Sequence, residues 1–291
     1  MNNISGACRL VKFYFDDDIP EDLDNFFEEY FDVVAINYTD DGREEVVGYK
    51  SADFKEKEML QAAKSSGITL PEYKTEFLES KNWLSENVIK FAPFEIGNFI
   101  VYGSHEKNAP KSKKLPVKVY AATAFGSEHQ TTKMCLEAIS FIHDNNNICK
   151  NVLDIGTGSG ILSIAAAKQW PNAEITAVDI DAEAVEVCKQ NSLDNNTQNQ
   201  IICVLGDGYK LPQIISKSPY DLILTNIFAR PLISMSKQMA KNLKKGGFGI
   251  ISGFIEDQAE WVLSEHEKHG LKLKKMYKTD NWCAAILEKV I

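Results

Sequence analysis

The chain has 291 residues, of which 44% are hydrophobic and 25% are charged. This composition is typical of a globular protein and excludes collagen-like, coiled-coil and disordered chains. No apolar run reaches the roughly 20 residues needed to span a bilayer, and residues 1–15 lack the basic and apolar stretches of a secretory leader. Six scattered cysteines form no C-x-x-C pair, so we predict no metal site and a cytoplasmic protein.

The net charge of −9 is distributed unevenly along the chain. Residues 1–100 contain 10 basic and 21 acidic side chains, whereas residues 101–291 contain 22 basic and 20 acidic ones. An acidic segment repels nucleic acid phosphates and attracts a basic protein partner. Taken alone, however, the charge is explained more simply by solubility.

The first part of the chain, residues 1–80, alternates strand and helix patterns. Strands are predicted over residues 9–15, 33–38, 45–49 and 73–78, with a tight turn at 40–42. One helix is predicted to begin at Pro20, and a second over residues 51–65, ending at Gly67. The order β-α-β-β-α-β is typical of a ferredoxin-like α+β domain.

Residues 81–119 are predicted to connect this domain to a second one. A helix is expected over residues 83–88, followed by short strands up to residue 103. Residues 104–119 are polar and rich in lysine, so we expect an exposed linker there.

Residues 120–291 show a regular alternation of strands and helices, which predicts a doubly wound, Rossmann-like parallel sheet. The predicted strands are 151–155, 174–179, 200–205, 220–226, 247–252, 273–278 and 282–287. The predicted helices are 160–169, 182–191, 231–242 and 256–267. Because only three residues separate the last two strands, they must form an antiparallel hairpin. A parallel sheet that ends in such a hairpin resembles the seven-stranded class I methyltransferase fold.

The most informative segment, residues 152–162, is an apolar strand that leads through a glycine turn into a helix. Its glycines, Gly156, Gly158 and Gly160, follow a G-x-G-x-G spacing. Glycines permit positive φ angles, and the helix N-terminus offers free N–H groups to an anion. A dinucleotide fingerprint requires G-x-G-x-x-G, so the spacing favours S-adenosylmethionine over a nicotinamide. A single glycine loop is nevertheless a weak signal, since some such loops only turn the chain.

Each of the next three predicted strands ends at a polar residue or is followed closely by one. Asp179 is expected to accept the ribose hydroxyls of an adenosine, while Asp181 suits the N-cap of the following helix; an acid at this position fits NAD equally well. Asp207 is predicted either to face the adenine amino group or to be only a turn residue. Asn226 lies where a parallel sheet holds its ligand, and it either serves the reacting centre or caps the next helix.

Four segments together resemble the ribosomal protein L11 methyltransferase family. Residues 226–232 resemble its N-I-L-A-x-P-L stretch, and residues 246–258 resemble its G-G-x…S-G-I-L-x-x-Q segment. Residues 154–162 match its D-x-G-x-G-S-G-I-L pattern, and residues 124–132 resemble its A-F-G-T-G-x-H-x-T-T signature. In this last segment only residues 127–128 separate F-G from the histidine, one fewer than in the family.

The resemblance implies methylation of amino groups of L11, a basic ribosomal protein of the large-subunit stalk base; lysine side chains and the N-terminal amine are the alternative targets. It implies S-adenosylmethionine as the cofactor. The acidic charge of residues 1–100 predicts no direct nucleic acid contact, and the lack of a long apolar run predicts no membrane contact. The resemblance also carries over four cofactor contacts, which are Thr132, Gly156, Asp179 and Asn226. We predict two further cofactor contacts, which are Gly158 in the glycine loop and Asp207 after the strand at residues 200–205.

Asn226 is the predicted positioning residue for the incoming amine, and no residue stands out as a general base. His129 is interpreted either as a base or as a loop histidine that orders Thr131. Three alternatives remain at this point. They are a methyltransferase for another protein or an RNA nitrogen, a non-catalytic S-adenosylmethionine-binding assembly factor, and a nicotinamide dehydrogenase.

Overall fold

In the computed structural model, residues 8–15, 19–31, 33–38, 43–51, 53–78, 91–120 and 129–290 are described. The chain divides into two compact units, Met1–Trp83 and Leu84–Ile291. Three predicted features, the turn at 40–42, the connecting helix at 83–88 and the shortened loop at 127–128, lie outside the described residues.

The first unit is a four-stranded antiparallel sheet with two helices. Its elements are β1 (Cys8–Phe15), α1 (Glu21–Tyr30), β2 (Val33–Tyr38), β3 (Glu44–Ser51), α2 (Glu56–Ser65) and β4 (Tyr73–Leu78). The strands lie in the order β2-β3-β1-β4. This arrangement is the split β-α-β topology, so the predicted ferredoxin-like domain is confirmed.

The core of this unit lies between one face of the sheet and the two helices. Alternate residues of β1, such as Val11 and Phe13, are buried there with Phe27 of α1 and Met59 of α2. The rings of Phe13 and Phe27 have centroids 4.5 Å apart. The period-2 pattern of the strand and the helical spacing of the phenylalanines therefore meet in one core.

Helix α2 begins five residues later than the sequence predicts. Strand β3 continues to Ser51, and a turn follows in which Phe54 N donates to Ser51 O and Ser51 Oγ contacts Asp53. The predicted C-terminus is correct, because Gly67 has a φ of +72° and Ile68 N donates to Ala63 O. Such a left-handed glycine is a common helix terminator.

A small sheet precedes the large one in the second unit. It consists of β5 (Phe94–Ile96), β6 (Phe99–Gly103) and β7 (Leu115–Val119), with β6 and β7 parallel. The prediction of a linker through residue 119 is wrong for β7, since Val117 and Val119 are fully buried. Pro116 favours a loop in the sequence because proline cannot donate a ladder hydrogen bond. An edge strand such as β7 nevertheless tolerates proline.

The large sheet has seven strands in the order β10-β9-β8-β11-β12-β14-β13. Its strands are β8 (Asn151–Ile155), β9 (Glu174–Asp179), β10 (Ile201–Leu205), β11 (Tyr220–Asn226), β12 (Leu243–Ile255), β13 (Leu271–Thr279) and β14 (Trp282–Lys289). The helices are α3 (Gln130–Asp144), α4 (Ile161–Gln169), α5 (Ala182–Asp194), α6 (Pro212–Lys217), α7 (Ala229–Asn242) and α8 (Ala259–Glu267). Five strands, β8 to β12, are parallel. The predicted class I methyltransferase fold is confirmed.

Helices cover both faces of this sheet, and successive strand residues point to opposite cores. Val152 belongs to a cluster with residues of α3, α4 and α5, whereas Leu153 belongs to a cluster with residues of α6, α7 and α8. The continuous apolar strands of the sequence reflect this burial on two sides. The last two strands form the predicted hairpin, in which Asp280 and Asn281 both have positive φ, as a type I′ turn requires.

Candidate functional site

A cleft of about 920 Å³ lies at the carboxyl edge of the parallel strands. All six residues that the sequence analysis selected line it, namely Thr132, Gly156, Gly158, Asp179, Asp207 and Asn226. Strands β8 to β11 each deliver one or more of these residues at or just beyond their ends. The volume lies in the range of clefts that bind small molecules and cofactors.

The glycine loop after β8 lies on one side of the cleft. Gly156, Gly158 and Gly160 have φ angles of +71°, +52° and +78°, in the left-handed region that favours glycine. A Cβ atom on Gly156 would lie 2.5 Å from Ile227 Cγ2. The amides of Gly156 and Thr157 both donate to Val178 O, at 2.9 and 3.1 Å, which joins the loop to the end of β9.

A buried carboxylate, Asp154, supports the loop from beneath. Its Oδ2 accepts hydrogen bonds from Thr157 Oγ1 at 2.7 Å and from Ser163 Oγ at 2.6 Å. Burial raises the pKa of Asp154 to about 6, and the charge of Asp179 adds to this increase. The role of Asp154 was not predicted from the sequence, where it is part of the D-x-G-x-G-S-G-I-L pattern. The sequence signal for this role is an acidic residue within the apolar run of the strand at residues 151–155.

Asp179 connects the end of β9 to the glycine loop. Its Oδ2 accepts from Gly158 N at 2.9 Å, and its Oδ1 accepts from Asp181 N at 3.1 Å. Asp181 caps helix α5, since its side chain accepts from Glu183 N at 2.9 Å. The sequence interpretation of Asp181 as the N-cap therefore agrees with the structure. A carboxylate has about four lone-pair positions, so the two backbone bonds leave Asp179 able to accept further donors.

Asn226 and Thr132 meet across the cleft floor from elements that are far apart in sequence. Asn226 Nδ2 donates to Thr132 Oγ1 at 3.2 Å. Thr132 lies in the first turn of α3 and is buried, whereas Asn226 is the last residue of β11. This bond fixes the orientation of the amide at the point where the strand opens into the cleft.

Asp207 lies at the exposed rim and forms an ion pair with Lys210, with 2.5 Å between Oδ2 and Nζ. It precedes the short 3-10 turn Gly208–Lys210. The side chains of both members of the pair are more than 60% exposed, so the pair adds little to stability. The sequence analysis did not identify Lys210 as part of the cleft.

An aromatic wall and an apolar rim complete the cleft. His129 and Trp282 meet edge to face, with ring centroids 4.9 Å apart. His129 Nδ1 lies 2.9 Å from Thr131 Oγ1 and caps α3, so the histidine orders Thr131. Ile180 and Phe228, 72% and 77% exposed, lie at the rim. Apolar residues one and two positions beyond the ends of β9 and β11 are the sequence signal for this rim.

Within the described ranges, no group of three or more His, Cys, Asp or Glu side chains is arranged to hold a metal ion. Over the same residues, no helix is long and apolar enough to cross a membrane.

Comparisons with known proteins point to one family. A family model described as ribosomal protein L11 methyltransferase (PrmA) matches residues 13–290. A protein of Brucella melitensis named ribosomal protein L11 methyltransferase is 33% identical over 270 residues, which is 91% of this chain and 93% of that one. A protein of the same name from Bradyrhizobium diazoefficiens is 34% identical over 214 residues, covering 73% and 72% of the two chains.

A solved structure shows the same fold. The crystal structure of a ribosomal protein L11 methylase from Lactobacillus delbrueckii subsp. bulgaricus superposes with a TM-score of 0.58 at 23% identity. The match covers 69% of this chain and all of that chain.

Proposed function

Since the chain belongs to the ribosomal protein L11 methyltransferase family, we propose that it transfers methyl groups from S-adenosylmethionine to amino groups of ribosomal protein L11. The observation that carries this proposal is the convergence of Gly156, Asp179, Thr132 and Asn226 on one cleft. Each of them comes from a different segment of the chain, and the family resemblance implies each of them as a contact of S-adenosylmethionine.

The cleft has the donors and acceptors that S-adenosylmethionine needs. Asp179 offers carboxylate oxygens to ribose hydroxyls, and the turn at Gly156 and Gly158 lets the backbone approach a ligand closely. We assign Asp207 at the rim to the adenine amino group, and the exposed side chain of Ile180 lines the same cleft. Asn226 and Thr132 are assigned to the methionine end and the reacting centre.

S-adenosylmethionine supplies a methyl group on a sulfonium, which is already an activated leaving group. The chain therefore has to position an amine, and good positioning is worth roughly 7–11 kcal/mol. Because Asn226 Nδ2 donates to Thr132 Oγ1, its Oδ1 is the atom that accepts a hydrogen bond from the incoming amine. This amide is the catalytic group that we assign.

The amine must lose a proton before it attacks, since lysine has a pKa of about 10.4. Among the described residues that line the cleft, His129 is the sole imidazole, and its Nδ1 is engaged by Thr131. We therefore assign the proton to water, with the apolar surroundings of Trp282 and Phe228 lowering the pKa of the amine by desolvation.

The acidic character of residues 1–100, with 10 basic and 21 acidic side chains, supports a basic protein as the substrate. The same charge disfavours direct contact with nucleic acid. The proposal thus includes a protein of the large-subunit stalk base as the partner and the cytoplasm as the place of action.

A transfer assay tests this function. The purified protein is incubated with S-adenosylmethionine and L11, and the intact mass of L11 is measured over time. We expect L11 to gain mass in methyl increments at lysine or N-terminal amines. An unchanged mass of L11 would contradict the proposal, whether a parallel incubation shows methyl groups entering ribosomal RNA or calorimetry shows tight cofactor binding without any transfer.

The Asn226→Ala variant tests the assigned role of the amide. We expect kcat to fall about 100-fold, while the Kd for S-adenosylhomocysteine changes by less than about 3-fold. Thr132→Val is the matched control, because it removes the acceptor of the Asn226 amide but keeps the amide itself, and we expect a smaller loss. An unchanged kcat in Asn226→Ala would remove Asn226 from the mechanism.

A further inference from the structure

Two buried asparagines, Asn191 on α5 and Asn195 at the C-cap of α5, pair with the backbone at the end of β7. Asn191 Oδ1 accepts from Tyr120 N at 2.7 Å, and Asn191 Nδ2 donates to Tyr120 O at 3.2 Å. One turn later, Asn195 forms the same pair of bonds with Lys118, at 2.9 and 2.6 Å. We call these two side chains the asparagine pair.

The spacing of the asparagine pair matches the strand that it contacts. Four residues of α-helix rise about 6 Å, and two residues of extended chain rise about 6.6 Å. Helix residues four apart, Asn191 and Asn195, therefore meet extended residues two apart, Tyr120 and Lys118, with the two segments running in opposite directions. The asparagine pair holds the segment from Lys118 to Tyr120 against α5 as a neighbouring strand would.

Asn191 makes one contact that Asn195 does not. Its Nδ2 also donates to Ser159 O at 2.8 Å, and Ser159 lies in the glycine loop between Gly158 and Gly160. The corresponding second bond of Asn195 goes to Asn191 O, within its own helix. Both donor hydrogens of the Asn191 amide are thus used, one on the glycine loop and one on Tyr120.

The burial of Asn191 makes these bonds consequential. The residue is 0% exposed, and its bond to Ser159 O is buried, so losing this bond is costly because no water replaces it. Asn191 is also separated by 71 residues from Tyr120 and by 32 from Ser159. It is the point at which the glycine loop, helix α5 and the end of β7 are joined.

We propose that Asn191 is a positioning residue for cofactor binding, because its side-chain amide fixes the glycine loop at Ser159 to the backbone of Tyr120. This inference rests on the proposed function, since it takes the glycine loop as part of the S-adenosylmethionine site. Asn195 secures the same strand end without touching the loop. A comparison of variants at the two asparagines therefore distinguishes an effect on folding from an effect on cofactor binding.

The test compares Asn191→Ala with Asn195→Ala in the full chain. Thermal unfolding measures stability, and calorimetric titration with S-adenosylhomocysteine measures the Kd. We expect both variants to lower the Tm, since each leaves two backbone groups at the end of β7 without their side-chain partner. Only Asn191→Ala is expected to weaken binding, by about 10-fold or more, with KM for S-adenosylmethionine rising more than kcat falls.

The possible results distinguish this inference from the proposed function. Equal losses of affinity in the two variants, or an unchanged Kd in Asn191→Ala, would overturn the role of Asn191 while the function stands. Failure of the wild-type protein to bind S-adenosylhomocysteine would overturn the proposed function itself. If Asn191→Ala does not fold, Asn191→Ser, whose shorter side chain does not span from Ser159 to Tyr120, carries the same expectation.

Discussion

Among single residues, Asp154 shows how the protein holds the glycine loop in place beside the cleft. Its carboxylate is buried and accepts hydroxyl hydrogen bonds from Thr157 and Ser163. Burial raises its pKa from the ordinary 3.8 to about 6. The folded state therefore prefers the neutral acid, and the stabilisation that this preference provides is present below pH 3.8 and lost as the pH rises through about 6.

Replacing Asp154 with Asn tests this linkage. A shift of about two pKa units corresponds to roughly 3 kcal/mol, so the unfolding free energy of the wild type, relative to Asp154→Asn, should fall by roughly that amount between about pH 4 and pH 7. The amide keeps an oxygen acceptor for Thr157 and Ser163 but does not ionise. Urea unfolding at a series of pH values measures the difference.

Asp221 provides a control, because its contribution to stability changes with pH in the opposite direction. Burial raises the pKa of Asp221, but hydrogen bonds from the amides of Lys150 and Asn151 and from Lys244 lower it on balance. Its contribution to stability is therefore lost as the pH falls, and Asp221→Asn should remove a dependence of the opposite slope. If the difference in unfolding free energy between wild type and Asp154→Asn does not change with pH, Asp154 does not titrate in this range.

At the scale of elements, the glycine loop and helix α4 depend on Gly160. Its φ is +78°, and a Cβ atom would lie 2.6 Å from Cys188 Sγ and 3.3 Å from Cys188 Cα. The backbone conformation and the close approach of α5 thus both require glycine at this position.

Gly160→Ala and Gly246→Ala separate these two requirements. Gly246 has a nearly identical φ of +75° but open space around its Cβ position. We expect Gly246→Ala to cost about 1–2 kcal/mol from backbone strain alone, and Gly160→Ala to cost a further 1–3 kcal/mol, roughly, from the contact with Cys188. Denaturant unfolding measures both values. Equal costs would mean that α5 moves aside freely.

The sequence predicted some elements better than others for physical reasons. The central strands β8, β9 and β11 were located to the residue because their apolar runs are buried on both faces and end at polar residues. Helix α3 was not predicted, although many of its residues are buried. Its first residues were used only for their resemblance to the family signature at residues 124–132. Strand β7 was missed because Pro116 and neighbouring lysines suggested a linker.

At the scale of the whole molecule, the candidate site was predictable because a parallel sheet brings its strand ends to one edge. Asp179, Asp207 and Asn226 could therefore be placed together without any knowledge of contacts. The pairing of Asn226 with Thr132 and of Asn191 with Tyr120 could not, since these residues lie 94 and 71 positions apart. Contacts over such distances depend on how helices pack on the sheet, which local patterns do not specify.

We expect a sulfonium nucleoside, and not a nicotinamide dinucleotide, to bind in the cleft at the carboxyl edge of the large sheet. Isothermal titration of the full chain with S-adenosylhomocysteine and, separately, with NAD tests this expectation most directly. We predict saturable heat with one S-adenosylhomocysteine bound per chain and no heat with NAD. Binding of NAD without binding of S-adenosylhomocysteine would contradict the account.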